Sequence, residues 1–307
     1  MNPAFAQEES RCEYLFYKLG PCWHLCTPEN NPLILTDEED FRAAMTIIAI
    51  CALAFPGIKV LTFELMSNHI HVALAGTEED MDKFFSMFKV FLGYYLKSKD
   101  RSSCLKGWSY KALSIDNIRY MRNTIAYINR NGFIVNKEHS PYSYPWGANK
   151  YFFNPDAIKR AAENSGTLNS RVLRSLFHTH KLDAFSGLPY LDDIVPPPVF
   201  CDIRTAEGLF RNASHYFSIV SRNIEGMKGI AGIIGESVFY TDDDLYSVAR
   251  KIATEQYRVD KPHLIPAQGK LDVARILCYE YNAGAKQVAR LLKLDLSLMK
   301  SLLPSNH

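Results

Sequence analysis

The spacing of apolar residues changes period several times along the first half of the chain, and each change marks an element. Tyr14 to Thr27 mixes aromatics with Leu and Cys and stops at Thr27-Pro28, which predicts a first strand. Beyond the loop-forming Asn30-Asn31-Pro32, Thr36 with Glu39 three residues on makes a capping box. Phe41, Ala44, Ile47, Ile48 and Cys51 then recur at helical spacing until Pro56-Gly57 ends the helix. Ile58 to Leu65 reads as a second strand, Met66-Ser67-Asn68 as a tight turn, and His69 to Ala75 as a third strand completing a hairpin. Glu78-Glu79-Asp80 places acidic residues in the first turn of a helix reaching Lys99, with Met81, Phe84, Phe85, Phe88, Phe91 and Leu92 inward. Trp108 to Leu113 predicts a fourth strand. A helix over 116–131 follows, with a core stripe at Ile118, Met121, Ile125 and Ile128. Strand, helix, strand, strand, helix, strand, helix is the order of a ferredoxin-like antiparallel sheet, so the expected class is α+β with the helices on one face.

The second half reads as helical throughout. Residues 156–195 carry no nameable chemistry, Val195-Pro196-Pro197-Pro198-Val199 is a stiff connector, and 203–258 suggest several amphipathic helices. Leu271 to Tyr281, Ala285 to Leu292 and Ser297 to Leu303 predict three short helices around Ala274, Ile276, Leu277, Val288, Ala289, Leu291, Leu292 and Leu298. That pattern is similar to a helix-turn-helix module, in which Lys300 would bring positive charge to a DNA groove; a protein contact or plain packing remains the alternative. The expected organisation is a sheet domain over 1–155, a helical region over 156–262 and the small module over 263–307.

Composition changes this picture little. Apolar residues make up 47% and charged residues 22% of the 307, values of an ordinary globular protein. No run of ~18 apolar residues occurs and the start shows no secretory pattern, so a membrane partner is not expected and a cytoplasmic, nucleoid-associated location is. Seven scattered cysteines suit reduced thiols. Charge, by contrast, is polarised. Residues 1–82 hold four Lys/Arg against thirteen Asp/Glu, whereas 83–137 hold eleven against two. The basic stretch interleaves Lys89, Lys97, Lys99, Arg101, Lys111, Arg119, Arg122 and Arg130 with Phe84, Phe85, Phe88, Phe91, Tyr94, Tyr95, Trp108, Tyr110, Tyr120 and Tyr127. Cations for phosphates and rings for unstacked bases are what a single-strand groove combines. A solvated basic helix face over an aromatic core is the alternative.

The chemistry centres on His69 and His71. Two apart on a strand, they project to one face while Ile70 and Val72 point to the other, and neutral imidazole is a common metal ligand. On the helix after the fourth strand, Tyr120, Thr124, Tyr127 and Asn131 form a stripe separate from the core stripe. His69, His71 and Asn131 can hold a divalent cation that polarises a phosphodiester while the Tyr127 oxygen attacks phosphorus. Ordinary surface histidines and an ordinary amphipathic helix are the competing account. Tyr94 and Tyr95 are expected in the core or under bases, and His178-Thr179-His180 diverges on a helix-like run. His24 is a core or surface residue that could neighbour the site, and Glu64 a possible helper for the cation.

Met66-Ser67-Asn68-His69-Ile70-His71-Val72 resembles the HUH motif of single-tyrosine insertion-sequence transposases, closest to their REP-associated branch. Tyr127-Ile128-Asn129-Arg130-Asn131 resembles that branch's tyrosine motif, and Leu35 to Arg42 and Tyr142 to Trp146 extend the likeness over residues 12–155. The resemblance implies a Mg²⁺- or Mn²⁺-dependent nuclease and strand transferase acting on single-stranded or hairpin DNA through a 5′-phosphotyrosine. Carried over by position, His69 and His71 are metal ligands, Asn131 a third ligand, and Tyr127 the nucleophile. Gly132 stands where many relatives have proline. Two other classes of function stay open: a non-catalytic DNA-binding regulator on the same scaffold, and an RNA-binding sheet face. Oligomeric state, monomer or homodimer, is not fixed by the sequence, and duplex DNA is a further partner if the C-terminal module binds it.

Overall fold

In a computed structural model of the chain, which describes residues 3–29, 32–135, 142–222, 224–234, 240–297 and 299, four strands form one antiparallel sheet. They are β1 (Cys22–Cys26), β2 (Lys59–Leu65), β3 (Ile70–Ala75) and β4 (Lys111–Ile115), in the order β2-β3-β1-β4. This is the ferredoxin-like arrangement, with α2 (Glu38–Ala54) and α3 (Glu78–Ser98) as the two crossovers. A helix α1 (Pro3–Lys18) precedes it and takes the first five residues, Tyr14 to Lys18, of the segment expected as the first strand. Cys12, Leu15, Phe16 and Leu19 recur at three, four and seven, so the aromatic-rich stretch obeys the helical period; Cys12 and Phe16 are buried while Tyr14 and Tyr17 are exposed. Gly20, at φ 76°, lets the chain leave the helix before β1.

Capping also shifts by one residue. Asp37 rather than Thr36 caps α2, its carboxylate accepting from the Asp40 amide at 2.9 Å, while Asp40 accepts from the Thr36 amide at 2.8 Å. Thr77 caps α3 by accepting from the Asp80 amide. The fourth strand starts three residues later than its sequence pattern suggests.

Side chains alternate across the sheet. Leu25, Val72 and Phe63 lie on one face, and Ile70 lines a small cavity with Phe88 and Leu92 of α3. His24, Cys26, His71, Thr62 and Glu64 lie on the other, where α4 (Ile118–Val135) packs along β2, β3 and β4. Helices therefore cover both faces rather than one. Enclosure of α4 explains why Thr124 through Arg130 are all buried, beyond what one amphipathic stripe requires.

The outer edge of β2 is covered by two loop segments. Leu65 donates to the Trp146 carbonyl at 2.9 Å and Ala148 to the Phe63 carbonyl at 3.2 Å. A Cβ on Gly147 would come within 2.9 Å of the Phe63 carbonyl oxygen, so only glycine fits this approach. Further along, Asp202 donates to Val60 at 2.8 Å. Phe41 and Trp146 stack at 5.1 Å, which brings together the two flanking segments that carry the family resemblance.

The chain divides into two compact units, residues 1–223 and 224–307. Helices α5 (Pro155–Asn164), α6 (Ser170–Phe177), α7 (Ile203–Gly208) and α8 (Ala213–Arg222) complete the first, α8 lying against α4. The second unit holds α9 (Ile224–Ile234), α10 (Asp242–Tyr257), α11 (Ala267–Glu280) and α12 (Ala285–Leu292). Leu245, Val248, Val273, Ala274, Leu277, Val288 and Leu292 form its core. Asn282, at φ 47°, turns the chain between α11 and α12. Lys300 and most of the third helix expected there lie outside the described residues. No described helix is long and apolar enough to cross a membrane.

Candidate functional site

The hairpin between β2 and β3 fixes the first element of the site. Met66 donates to the His69 carbonyl at 2.9 Å, and the Ser67 carbonyl accepts from Ile34 at 2.7 Å and Leu35 at 2.9 Å. His69 therefore sits at the foot of β3, its Nδ1 2.8 Å from the Asn68 side-chain oxygen. His69 lies just before β3 and lines the cavity with Ile70, Phe88 and Leu92, while its ring is edge-on to that of His71 with centroids 5.0 Å apart.

Tyr127 reaches the His71 face of the sheet from α4. Its ring stands perpendicular to His71 at 5.6 Å and lies 6.3 Å from His24, so phenol and imidazoles meet over the central strands. The tyrosine is 4% exposed, with the His24 and His71 rings among its neighbours. Asn131 lies one turn further along α4 and is half-buried.

His24 and Cys26 join this cluster through β1. Register places Cys26 opposite His71, and the His24 Nε2 and His71 Nδ1 share a buried hydrogen bond at 3.2 Å. Ligand atoms of His24, Cys26 and His71 all fall within 4.8 Å of one another, a group able to hold a metal ion. Burial holds all three imidazoles neutral: His24 is pushed down to about 3, His69 to about 4, and His71 well below its usual value, the last helped by its two neighbouring histidines. Neutral imidazoles keep the lone pairs that a cation needs. Glu64, opposite His71 on β2, is buried beside them. The signal for His24 and Cys26 was a second alternating pair in Cys22-Trp23-His24-Leu25-Cys26, which only the β1–β3 pairing turns into a site.

Behind Tyr127, a buried polar chain anchors α4. Thr62 donates to the Asn129 side-chain oxygen, Asn129 Nδ2 donates to the Tyr216 hydroxyl at 2.8 Å, Tyr216 donates to Asn149, and Asn149 Nδ2 returns to the Asn129 carbonyl at 2.8 Å. This fixes the helix against β2 and α8 two residues from the phenol. Such a network comes from four distant segments, and no local pattern announces it.

The basic residues divide by environment. Arg122 is buried, its guanidinium on Glu9 and donating to the Leu209 carbonyl at 2.6 Å, and Arg130 is buried too. Lys99 and Arg101 converge on Asp40 at 3.1 and 2.7 Å, and Lys89 donates to the Trp108 carbonyl. Lys97, Lys111 and Arg119 are exposed. Much of the charge polarity in the sequence is thus an acidic N-terminal segment paired internally with a basic one. Tyr95 is buried and donates to Asp40, whereas Tyr94 is partly exposed. His178 ends α6 in a left-handed conformation, at φ 49°, and lines a cleft with Tyr94 and Lys97 of α3.

No family model matches the chain, and no curated protein sequence matches it either. Among solved structures, the chain is similar to a REP-associated tyrosine transposase bound to a REP hairpin, at 15% identity over 46% of this chain and 81% of that one, with a TM-score of 0.31. A likeness this loose assigns nothing by itself, and the functional reading rests on the residues.

Proposed function

We propose that the chain is a divalent-metal-dependent single-strand DNA endonuclease and strand transferase, working as a tyrosine transposase. The observation that carries this reading is the meeting of Tyr127 with His71 on one sheet face, at 5.6 Å between rings, with the His69 ring 5.0 Å beyond His71. In this reading His69, His71 and Asn131 hold Mg²⁺ or Mn²⁺, which supplies Lewis-acid polarisation of the phosphate when bound. The Tyr127 oxygen attacks phosphorus, the bond to the 3′-oxygen breaks, and that oxygen leaves as a 3′-hydroxyl while the 5′-phosphate stays on the tyrosine. Attack by a 3′-hydroxyl on the phosphotyrosine reverses the link and joins strands. Exposed Lys97, Lys111 and Arg119 contact the phosphates of single-stranded or hairpin DNA, while Lys89, Lys99, Arg101, Arg122 and Arg130 hold the fold. The second unit adds duplex contacts through α11 and α12. Cytoplasmic, nucleoid-associated work as a monomer or homodimer goes with this role.

Incubating the protein with labelled hairpin DNA and Mn²⁺ should give a covalent adduct resistant to denaturant. Tyr127→Phe should abolish it, and His69→Ala or His71→Ala should lower its rate by at least ~100-fold. A second reading, a DNA-binding regulator without cutting activity, is favoured by one observation: Tyr127 is 4% exposed and His24 and His71 are fully enclosed. Tight hairpin binding with no adduct under any divalent ion would establish that reading and dismiss the first.

A further inference from the structure

The residues around His71 that the strand-cutting scheme leaves unused have a chemistry of their own. Mg²⁺ and Mn²⁺ favour oxygen donors, whereas His24, Cys26 and His71 offer two imidazoles and a thiol. The 3.2 Å between the His24 Nε2 and the His71 Nδ1 matches the nitrogen–nitrogen separation of about 3.3 Å that two imidazoles keep on one tetrahedral ion with metal–nitrogen bonds of ~2.05 Å. Strand pairing sets this geometry: Cys26 faces His71 across β1 and β3, and His24 follows on the same side of β1. We propose that His24, Cys26 and His71 bind a thiophilic divalent transition ion of the zinc class, with Cys26 as a thiolate.

Binding replaces the Cys26 S–H bond by a sulfur–metal bond and releases one proton to solvent, so two neutral imidazoles and one thiolate leave the centre with a single positive charge. Three protein ligands leave a further coordination position, as in catalytic rather than closed structural zinc centres. Tyr120 supports the assignment. Its hydroxyl is buried with no hydrogen-bond partner among the described residues, on α4, the helix that covers the sheet face carrying Cys26. A metal-bound thiolate would give that hydroxyl an acceptor. The inference stands on the ligand cluster and shares His71 with the strand-cutting scheme, so its test is read at His24 and Cys26, which that scheme does not use.

Cobalt(II) titrated into chelator-stripped full-length protein is the direct test. One equivalent should bind, with d–d bands of a tetrahedral ion and a near-ultraviolet sulfur-to-metal charge-transfer band. Cys26→Ser should remove the charge-transfer band, His24→Ala should weaken binding by roughly 10–100-fold or more, and Mg²⁺ in large excess should not displace the cobalt. Cys104→Ser, on a half-buried thiol elsewhere, should change nothing. In unsubstituted protein, Zn²⁺ should also shield Cys26 from alkylation as read by mass spectrometry, which covers the case of a variant that does not fold. Cobalt bound without the sulfur band, a band lost in Cys104→Ser but kept in Cys26→Ser, or no stoichiometric binding and no shielding would each overturn the proposal. Tyr127→Phe should keep the cobalt spectrum, so loss of the DNA adduct in that variant bears on cutting and not on this site.

Discussion

Asp40 and His71 are both fully enclosed, on opposite faces of the same sheet, and their surroundings answer them in opposite ways. Around Asp40 everything pairs. Tyr95 donates to it at 3.0 Å, the Thr36 amide at 2.8 Å, Lys99 at 3.1 Å and Arg101 at 2.7 Å. Burial alone would raise its carboxyl, yet Arg101, Thr36, Lys99 and Tyr95 hold it below the usual carboxylate range. The cluster under α4 is different. His24 Nδ1, the Tyr120 hydroxyl and the Thr124 hydroxyl are buried with no hydrogen-bond partner among the described residues. Trp108 Nε1, packed against Phe85 and Phe88 of α3, is also without such a partner, so the contrast is between the two clusters and not between the two faces.

The sharpest way to break this contrast is Asp40→Ala. It takes from Arg101 and Tyr95 their buried acceptor, while Lys99 keeps Glu39 and Arg101 the Ile34 carbonyl, and should cost about 3 kcal/mol by urea unfolding. His24→Phe, which replaces a neutral imidazole by a ring of similar shape, should cost under about 1.5 kcal/mol in metal-free protein. Equal costs would mean that the two clusters do the same structural work.

Acid separates the clusters by pH window. A histidine held neutral by burial has its folded value lowered from 6.5, so the unfolded chain takes up the proton first and stability falls as pH drops below 6.5. For His24, at about 3 in the fold, the loss continues to that pH and reaches about 2 kcal/mol at pH 5. Asp40 behaves as a lowered carboxylate: its contribution is full above its unfolded value of 3.8 and is lost only as pH falls below that. His215, pushed to about 4 by burial, adds to the first window, so the readout is the difference between the wild type and His24→Phe. With chelator present, urea unfolding from pH 7 to 5 should show the wild type losing about 2 kcal/mol more than the variant. Parallel slopes would show that His24 takes up a proton without opening the fold.

The same contrast explains what the sequence disclosed. Period changes located the hairpin, both crossover helices and α4, because each is locally amphipathic or alternating. Within the expected pair and the stripe Tyr120, Thr124, Tyr127 and Asn131, the structure brings His71 and Tyr127 ring to ring. What stayed hidden is non-local. Cys26 becomes a neighbour of His71 only through β1–β3 pairing, which also settles for His24, 47 residues from His71, the site-adjacent position that its place on the first strand left open. Arg122 and Lys99 look like free cations until Glu9 and Asp40 are brought to them. The first strand was placed too early because aromatics favour strands on average, whereas Cys12, Leu15, Phe16 and Leu19 keep a helical period.

Removing an orphaned hydroxyl gives the smallest effect and the finest probe. Tyr120→Phe deletes only the hydroxyl that burial has stripped of water, and Thr124→Val does the same one turn along α4. An unanswered buried hydroxyl costs about 1–3 kcal/mol, part of it already relaxed in the fold, so each variant should be stabilised by roughly 0.5–1 kcal/mol in metal-free protein. Thr36→Val is the mirror experiment on the other face. It removes a hydroxyl that donates to Asp40 at 3.0 Å, and should lose about 1–2 kcal/mol. Opposite signs from three changes of one hydroxyl each would establish that the cluster under α4 is poised for a ligand. A loss of stability in Tyr120→Phe as large as in Thr36→Val would show that its hydroxyl is already satisfied, and would remove the distinction between the two clusters.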